Sequence, residues 1–437
     1  ASWAQAITVQ NSFGRFEELV ALVSCGLEGV NMGYGTGVLR AYFLYYFVRG
    51  MTVGIVGTAS LFIAEKAAVQ QHWLVSARGV GLIVGPMMTP RLISKMVWIG
   101  EIQLGAALIL ICKAVCVAGI PRTSSPAGLY LGFFLMGVAM STLDTLGLYL
   151  VGRYVQKKGG MMLSFYDACY GIGGMLAPFI TIAEPDFAWD VLAGIEMLLA
   201  MSLAGRRLLK GKPRDWKTKL RIEDGHASQG AVDGSGSPCC IAAVPQRVIR
   251  AGIAFTFISQ IASTSVSAWG FTFASRSLGL SDTLAAMIPS TFYMSATFTR
   301  FIVAPISLRV LPSAVMQASM VFLVAGAFLF RLLTFWTSAL PCAIEFHLLL
   351  MGVALMGAGC CPHYSFMMVS MAQHGALQPR EQGWYSTSVN LGVTAGMVLP
   401  SLASLPTVEM SCALALAAIL NSHVRDFPWK QSGKLCM

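Results

Sequence analysis

Arg49, Asp144 and Asp167 each stand inside a long apolar run of this 437-residue chain. An ionisable group in hydrocarbon costs at least about 2.5–3.5 kcal/mol even on the most lenient scale, so each one needs a partner or a water-filled cavity. At about 1.5 Å of rise per residue, all three fall roughly 10–12 Å below the inner boundary of the runs that carry them. One cation and two carboxylates at a common depth read as a buried charge cluster. Such a cluster can take up and release a proton or another cation, and two carboxylates sharing Arg49 cannot both be comfortably ionised. The competing reading is a static ion pair that locks three helices together. Arg300 falls at a similar depth later in the chain, and Arg78 sits in the outer part of its run, facing either a cavity or a helix contact. Glu101, Lys113, Arg331 and Glu345 lie nearer the run ends, where long side chains are expected to snorkel to water.

The runs that position these charges recur every 25 to 35 residues, and the chain is 56% hydrophobic and 11% charged. A soluble domain carries about 25% charged residues, so the divisions are spanning helices of about 20 residues each. We place twelve spans: 41–64, 71–90, 97–119, 128–151, 160–182 and 187–205, then 248–273, 284–307, 313–336, 343–369, 384–404 and 406–422. The expected division is therefore a 1–40 N-terminal segment, a six-helix half at 41–205, a basic flexible linker at 206–247, a second six-helix half at 248–422, and a tail at 423–437. No stretch reads as a cleavable signal peptide, and the opening Ala1 leaves room for a longer precursor or an incomplete gene model.

The halves resemble each other. Leu135-Met136-Gly137-Val138-Ala139-Met140 recurs as Leu350-Met351-Gly352-Val353-Ala354-Leu355, and Gly174-Met175 followed by Pro178 recurs as Gly396-Met397 followed by Pro400. Paired offsets in the same order mark a duplicated unit, the plan of transporters whose halves pack around a central solute path. Gly171, Gly173 and Gly174 in span 5, and Gly392 and Gly396 in span 11, permit close helix approach, while Pro178 and Pro400 place a kink after each patch. Helices that rock against the opposite half need such smooth faces, although tight static packing uses the same residues.

Arg206, Arg207, Lys210, Lys212, Arg214, Lys217, Lys219 and Arg221 crowd the central linker, with Arg153, Lys157, Lys158, Arg91, Lys95, Arg425, Lys430 and Lys434 on the same side. The positive-inside rule makes that side, and both termini, cytoplasmic. Topology accounts for the net charge of +10 without nucleic acid as a partner, and headgroup binding by 206–221 would be an additional role. The eleven Cys and six His lack metal-site spacing, so no metal is expected and the Cys are read as packing. No phosphate-binding glycine loop, nucleophile elbow or metalloprotease helix is present, which argues against an enzyme or an ATP-driven pump. No cofactor is expected beyond a coupling H+ or Na+. Candidate solute contacts are Tyr46, Arg78, Tyr149, Gln260, Trp269, Tyr293, His363 and Asn390, where hydrogen-bonding groups beside aromatic faces suit a hydroxyl-rich solute.

Certain phrases resemble a known family. The two-times-six plan with its basic central loop is similar to the major facilitator superfamily. Within it, the chain resembles the sodium-dependent glucose transporter and fucose-permease-like branch. The phrases are Phe47-x-x-Gly50-x-x-x-Gly54-x-x-Gly57, then Gly137 followed by Asp144-Thr145, and Gly171-x-Gly173-x-x-Leu176-x-Pro178. Trp269 to Ala274 with Phe292-Tyr293 and Arg300, and Met397-Val398-Leu399-Pro400, resemble the later patterns. The resemblance implies alternating-access sugar transport coupled to sodium or protons, with Asp144 matching an acid near the solute path. Departures fall on polar positions: Leu148, Asp167 and Ser263 stand where the branch has Asn, His and an acid, and Gly85 to Arg91 is a degraded loop signature.

The sequence thus reads as an all-α, multi-pass membrane protein of about twelve helices in two pseudo-repeats. It is expected to be monomeric in a lipid bilayer, the plasma membrane rather than an organelle, moving a small polar solute such as a sugar or polyol. Two alternatives stay open: a drug-like cation or organic anion as cargo on the same scaffold, or a non-transporting receptor or scaffold.

Overall fold

The computed structural model describes residues 36–95, 99–154, 159–210, 245–306, 310, 312–335, 342–367 and 379–424. Among these residues twelve long helices follow one another: α1 (Thr36–Lys66), α2 (Gln71–Lys95), α3 (Ile99–Gly119), α4 (Pro126–Tyr154), α5 (Gly159–Ala183), α6 (Pro185–Lys210), α7 (Gln246–Thr272), α8 (Asp282–Ile306), α9 (Pro312–Phe335), α10 (Cys342–Cys360), α11 (Pro379–Leu402) and α12 (Leu405–Val424). No strand occurs among the described residues. In hydrocarbon every backbone N–H and C=O must be satisfied within its own segment, and a long helix does that. The expected helical count and duplicated plan are borne out.

Most of the expected tail, N-terminal segment and linker lies outside the described residues. The helices run longer than the apolar spans at several ends. α1 begins at Thr36, and α6 extends to Lys210, its last turn carrying the first basic residues of the expected linker. Beyond Thr272, α7 passes into one wider π turn, Phe273–Ser277. α5 and α6 are separated by Glu184 alone.

Packing repeats with the sequence. In the first half α1 lies on α5, α2 on α4, and α3 on both α4 and α6; in the second, α7 lies on α11, α8 on α10, and α9 on both α10 and α12. The halves meet through α5 with α8, α2 with α11, and α1 with α7. Seven segments, on α1, α3, α4, α6, α7, α9 and α10, are long and apolar enough to cross a membrane. Among the described residues the other five, α2, α5, α8, α11 and α12, carry no such segment, and α2, α5, α8 and α11 are four of the six helices that make the contacts between the halves. Some of their polar and glycine positions lie at the interface or in the cavity wall. Large apolar side chains such as Val321, Leu131, Leu198 and Phe298 are exposed on the outside, as lipid-facing positions require.

Candidate functional site

A central cavity opens between the halves, lined from α1 by Tyr46, Arg49 and Val53, and from α7 by Gln260, Ser263, Thr264 and Ser267. Both sets follow helical spacing, so one stripe of each helix faces the cavity. Asp144 on α4, Asp167 and Tyr170 on α5, Tyr293 and Arg300 on α8, and Asn390 on α11 complete its polar wall.

Arg49 Nε lies 2.8 Å from Asp144 Oδ1, and the Tyr45 hydroxyl donates to the same oxygen at 2.9 Å. Asp144 Oδ2 is buried without a hydrogen-bond partner. The Arg49 guanidinium also lies over two rings, 5.5 Å from the centre of Tyr46 and 5.0 Å from that of Tyr170. Ring faces attract a cation, so both rings help to hold the Arg49 guanidinium in the cavity wall.

Asp167 corrects the sequence reading. It does not share Arg49. Its Oδ2 accepts from Ser365 Oγ at 2.8 Å, beyond the end of α10, and its backbone oxygen accepts from Arg300 Nη1 at 2.9 Å. The acid therefore ties the first half to the second, because α5 turns it toward α8 rather than back toward α1. Arg78 lies in the cavity wall, 1% exposed.

Of the remaining solute candidates, Tyr46, Gln260, Tyr293 and Asn390 line the cavity. The Tyr293 hydroxyl is 3.5 Å from that of Tyr170, across the interface, and Asn390 donates to the Ser386 carbonyl at 3.1 Å. Trp269 and His363 are not among the lining residues. Trp269 stands two positions past Ser267, about 200° around α7, and its indole N–H goes to the Met397 carbonyl at 2.9 Å. His363 is fully buried with both ring nitrogens engaged, Nδ1 to Ser259 at 2.8 Å and Nε2 to Ser319 at 3.1 Å. The side chain of Tyr149 lies outside the described residues.

The glycines divide. A methyl at Gly171 would collide with Thr297, and one at Gly174 with the Tyr293 ring, so these two bring α5 against α8 in the other half. Gly173 abuts α1 at Phe47, and Gly392 and Gly396 abut α7 at Phe257 and Ile261, contacts inside one half. At these three the contact is with a helix of the same half, as in the static-packing reading. Pro178 lies within α5, which continues to Ala183, and Pro400 falls in the last turn of α11, so each removes one i→i−4 hydrogen bond from its helix.

A second buried charge pair escaped the sequence reading. Lys113 on α3 and Glu196 on α6 meet at 2.6 Å, both side chains fully buried, with Thr52 of α1 accepting from Lys113 at 3.0 Å. Lys113 does not snorkel, because its face of α3 points at α6 and not at lipid. The signal was present: Ile195-Glu196-Met197 recurs as Val408-Glu409-Met410. Glu409 is also fully buried, yet neither of its carboxyl oxygens has a hydrogen-bond partner.

Polar contacts between the halves lie on both sides of the cavity. Toward the α1–α2 turn, Gln71 donates to Thr272 at 3.1 Å, and Glu65 pairs with Arg276. Toward the other end stand the Asp167 contacts. Residues 41–397 match the family model of the Major Facilitator Superfamily.

The chain belongs to the major facilitator superfamily.

It is accordingly an integral, multi-pass membrane transporter rather than an enzyme. Similar solved structures include a D-xylose–proton symporter, with 11% identity, TM-score 0.67, and coverage of 89% of this chain and 97% of that one. The E. coli fucose:proton symporter FucP is 14% identical, with TM-score 0.60 and coverage of 89% and 98%. The nucleoside transporter NupG is 12% identical, with TM-score 0.59 and coverage of 90% and 99%. At these identities the likeness is one of fold. No curated protein matches the chain by sequence.

Proposed function

We propose that this chain accumulates a small, hydroxyl-bearing solute by alternating access, driven by a proton or sodium ion that binds at Asp144. The observation that carries the proposal is the Arg49–Asp144 pair in the cavity wall, whose Oδ2 is left without a partner. A cation arriving at Asp144 competes with Arg49 for the carboxylate. The guanidinium then leans on Tyr46 and Tyr170. Tyr170 meets Tyr293 of the opposite half, so a change at the charge pair reaches the interface directly. Gln260, Ser263, Ser267 and Asn390 offer hydroxyl partners on the opposing wall, beside the Tyr293 ring. Two of the similar structures are sugar–proton symporters, which supports a solute of that chemistry.

The test is uptake of a labelled panel of polyols, sugars and sugar derivatives into proteoliposomes under imposed proton or sodium gradients. Asp144→Asn keeps the volume and the Tyr45 hydrogen bond but cannot take and release a cation. It should abolish uphill accumulation while counterflow exchange persists. Full uphill accumulation by this variant would reduce Asp144 to a structural partner of Arg49.

A further inference from the structure

Three guanidinium groups, Arg49, Arg78 and Arg300, line the cavity against two carboxylates, Asp144 and Asp167. Arg49 is neutralised by Asp144 at 2.8 Å. Arg300 has the Asp167 backbone oxygen at 2.9 Å. Arg78 has neither. Its Nη2 reaches the Met140 sulfur at 3.4 Å, its Nε has no hydrogen-bond partner, and its side chain is 1% exposed. Thioether sulfur is a weak acceptor, and a guanidinium carries five N–H groups. A buried cation without a counter-charge costs several kcal/mol, and the cavity is the side from which an anion can reach it.

A carboxylate matches the planar fork of an arginine with two parallel hydrogen bonds, and its charge removes the excess. We propose that the transported solute itself brings this carboxylate to Arg78, so that the cargo is a small hydroxylated monocarboxylate, a sugar acid rather than a neutral sugar. Gln260, Ser263, Ser267 and Asn390 then serve the hydroxyls while Arg78 fixes the charged end. With a proton bound at Asp144, solute and coupling ion cross together without net charge. The inference rests on the transport reading above, because it assigns the cargo of the same cavity.

The experiment uses purified full-length protein with gluconate, glucose and sorbitol as probes, read by melting midpoint in detergent and by counterflow exchange in proteoliposomes. Sodium gluconate should raise the melting midpoint relative to equimolar sodium chloride and should exchange saturably. Arg78→Gln should raise the half-saturation for gluconate at least tenfold, and Arg78→Lys should do so less, since it keeps the charge but loses the fork. If the Gln variant does not elute as a monodisperse protein, the Lys variant decides. An unchanged half-saturation for gluconate in a well-folded variant would overturn the assignment of Arg78. Exchange of glucose or sorbitol with no binding or exchange of gluconate would overturn the anionic cargo and leave the transport reading standing. No binding or exchange of any probe would overturn both.

Discussion

Lys113→Met leaves the Glu196 carboxylate fully buried beside α3 with no cation, retaining only the Thr52 hydroxyl at 3.4 Å. Removing one partner of a buried pair costs about 3–5 kcal/mol, because the surviving charge stays desolvated. Both side chains here are completely covered, so solvent offers no relief and the upper part of that range applies. Glu196→Gln should cost less, since the amide oxygen still accepts from Lys113. The double variant Lys113→Met/Glu196→Gln removes both charges and should recover most of the loss, ending within about 1–2 kcal/mol of wild type. The assay is a double-mutant cycle on thermal unfolding of the detergent-purified protein, with counterflow exchange measured on each variant. The expected coupling is several kcal/mol with exchange intact in the double variant. A Lys113→Met protein as stable as wild type, or a double variant whose losses simply add, would refute the claim that the pair is dry and interdependent.

Glu409→Gln should leave stability unchanged or raised, in contrast to changes at Glu196, because neither Glu409 oxygen has a partner to lose; the same melting assay checks this. Gly171→Val should abolish exchange while expression and melting stay near wild type, since the added methyls strike Thr297 on α8 of the opposite half; uptake against surface expression reads it. Trp269→Phe should cost about 1 kcal/mol through loss of the hydrogen bond to Met397 and leave the solute half-saturation unchanged; a shifted half-saturation would return Trp269 to the cavity. A single cysteine introduced at Val232 should react with membrane-impermeant maleimide only from the cytoplasmic side, which permeabilised and intact cells distinguish.

Spans and duplication were legible because they rest on one-dimensional signals. Apolar length decides what crosses a membrane, and the Leu135 and Leu350 phrases share an order as well as a spacing. Depth along a helix was legible for the same reason, and it placed Arg49 and Asp144 within reach of each other. Azimuth was not. Asp167 has a depth similar to that of Asp144 but turns toward the other half, and Trp269 shares a helix with Gln260 but not a face. His363 lies outside the cavity because its partners, Ser259 and Ser319, come from two other helices. Lys113 was misread by a rule about span ends, whereas its fate depended on whether lipid or α6 covered its side. The Glu196 and Glu409 phrases could have corrected this, since a carboxylate at a matched place in both halves is unusual for a lipid-facing position. Among the described residues only the first of them has its Lys. There duplication preserved the acid in both halves and the cation answering it in one.

The pairing scheme bears on assembly. Every strong packing relation inside α1–α6 has its counterpart inside α7–α12, and three helix pairs make most of the described junction between the two. Each fragment thus holds its own folding instructions. Carrying both on one chain delivers the two partners in equal amounts. Two transcripts, one ending after Lys210 and the other starting near Pro245, should produce polypeptides that find each other in the bilayer, and such a split protein would let each half carry its own label or isotope.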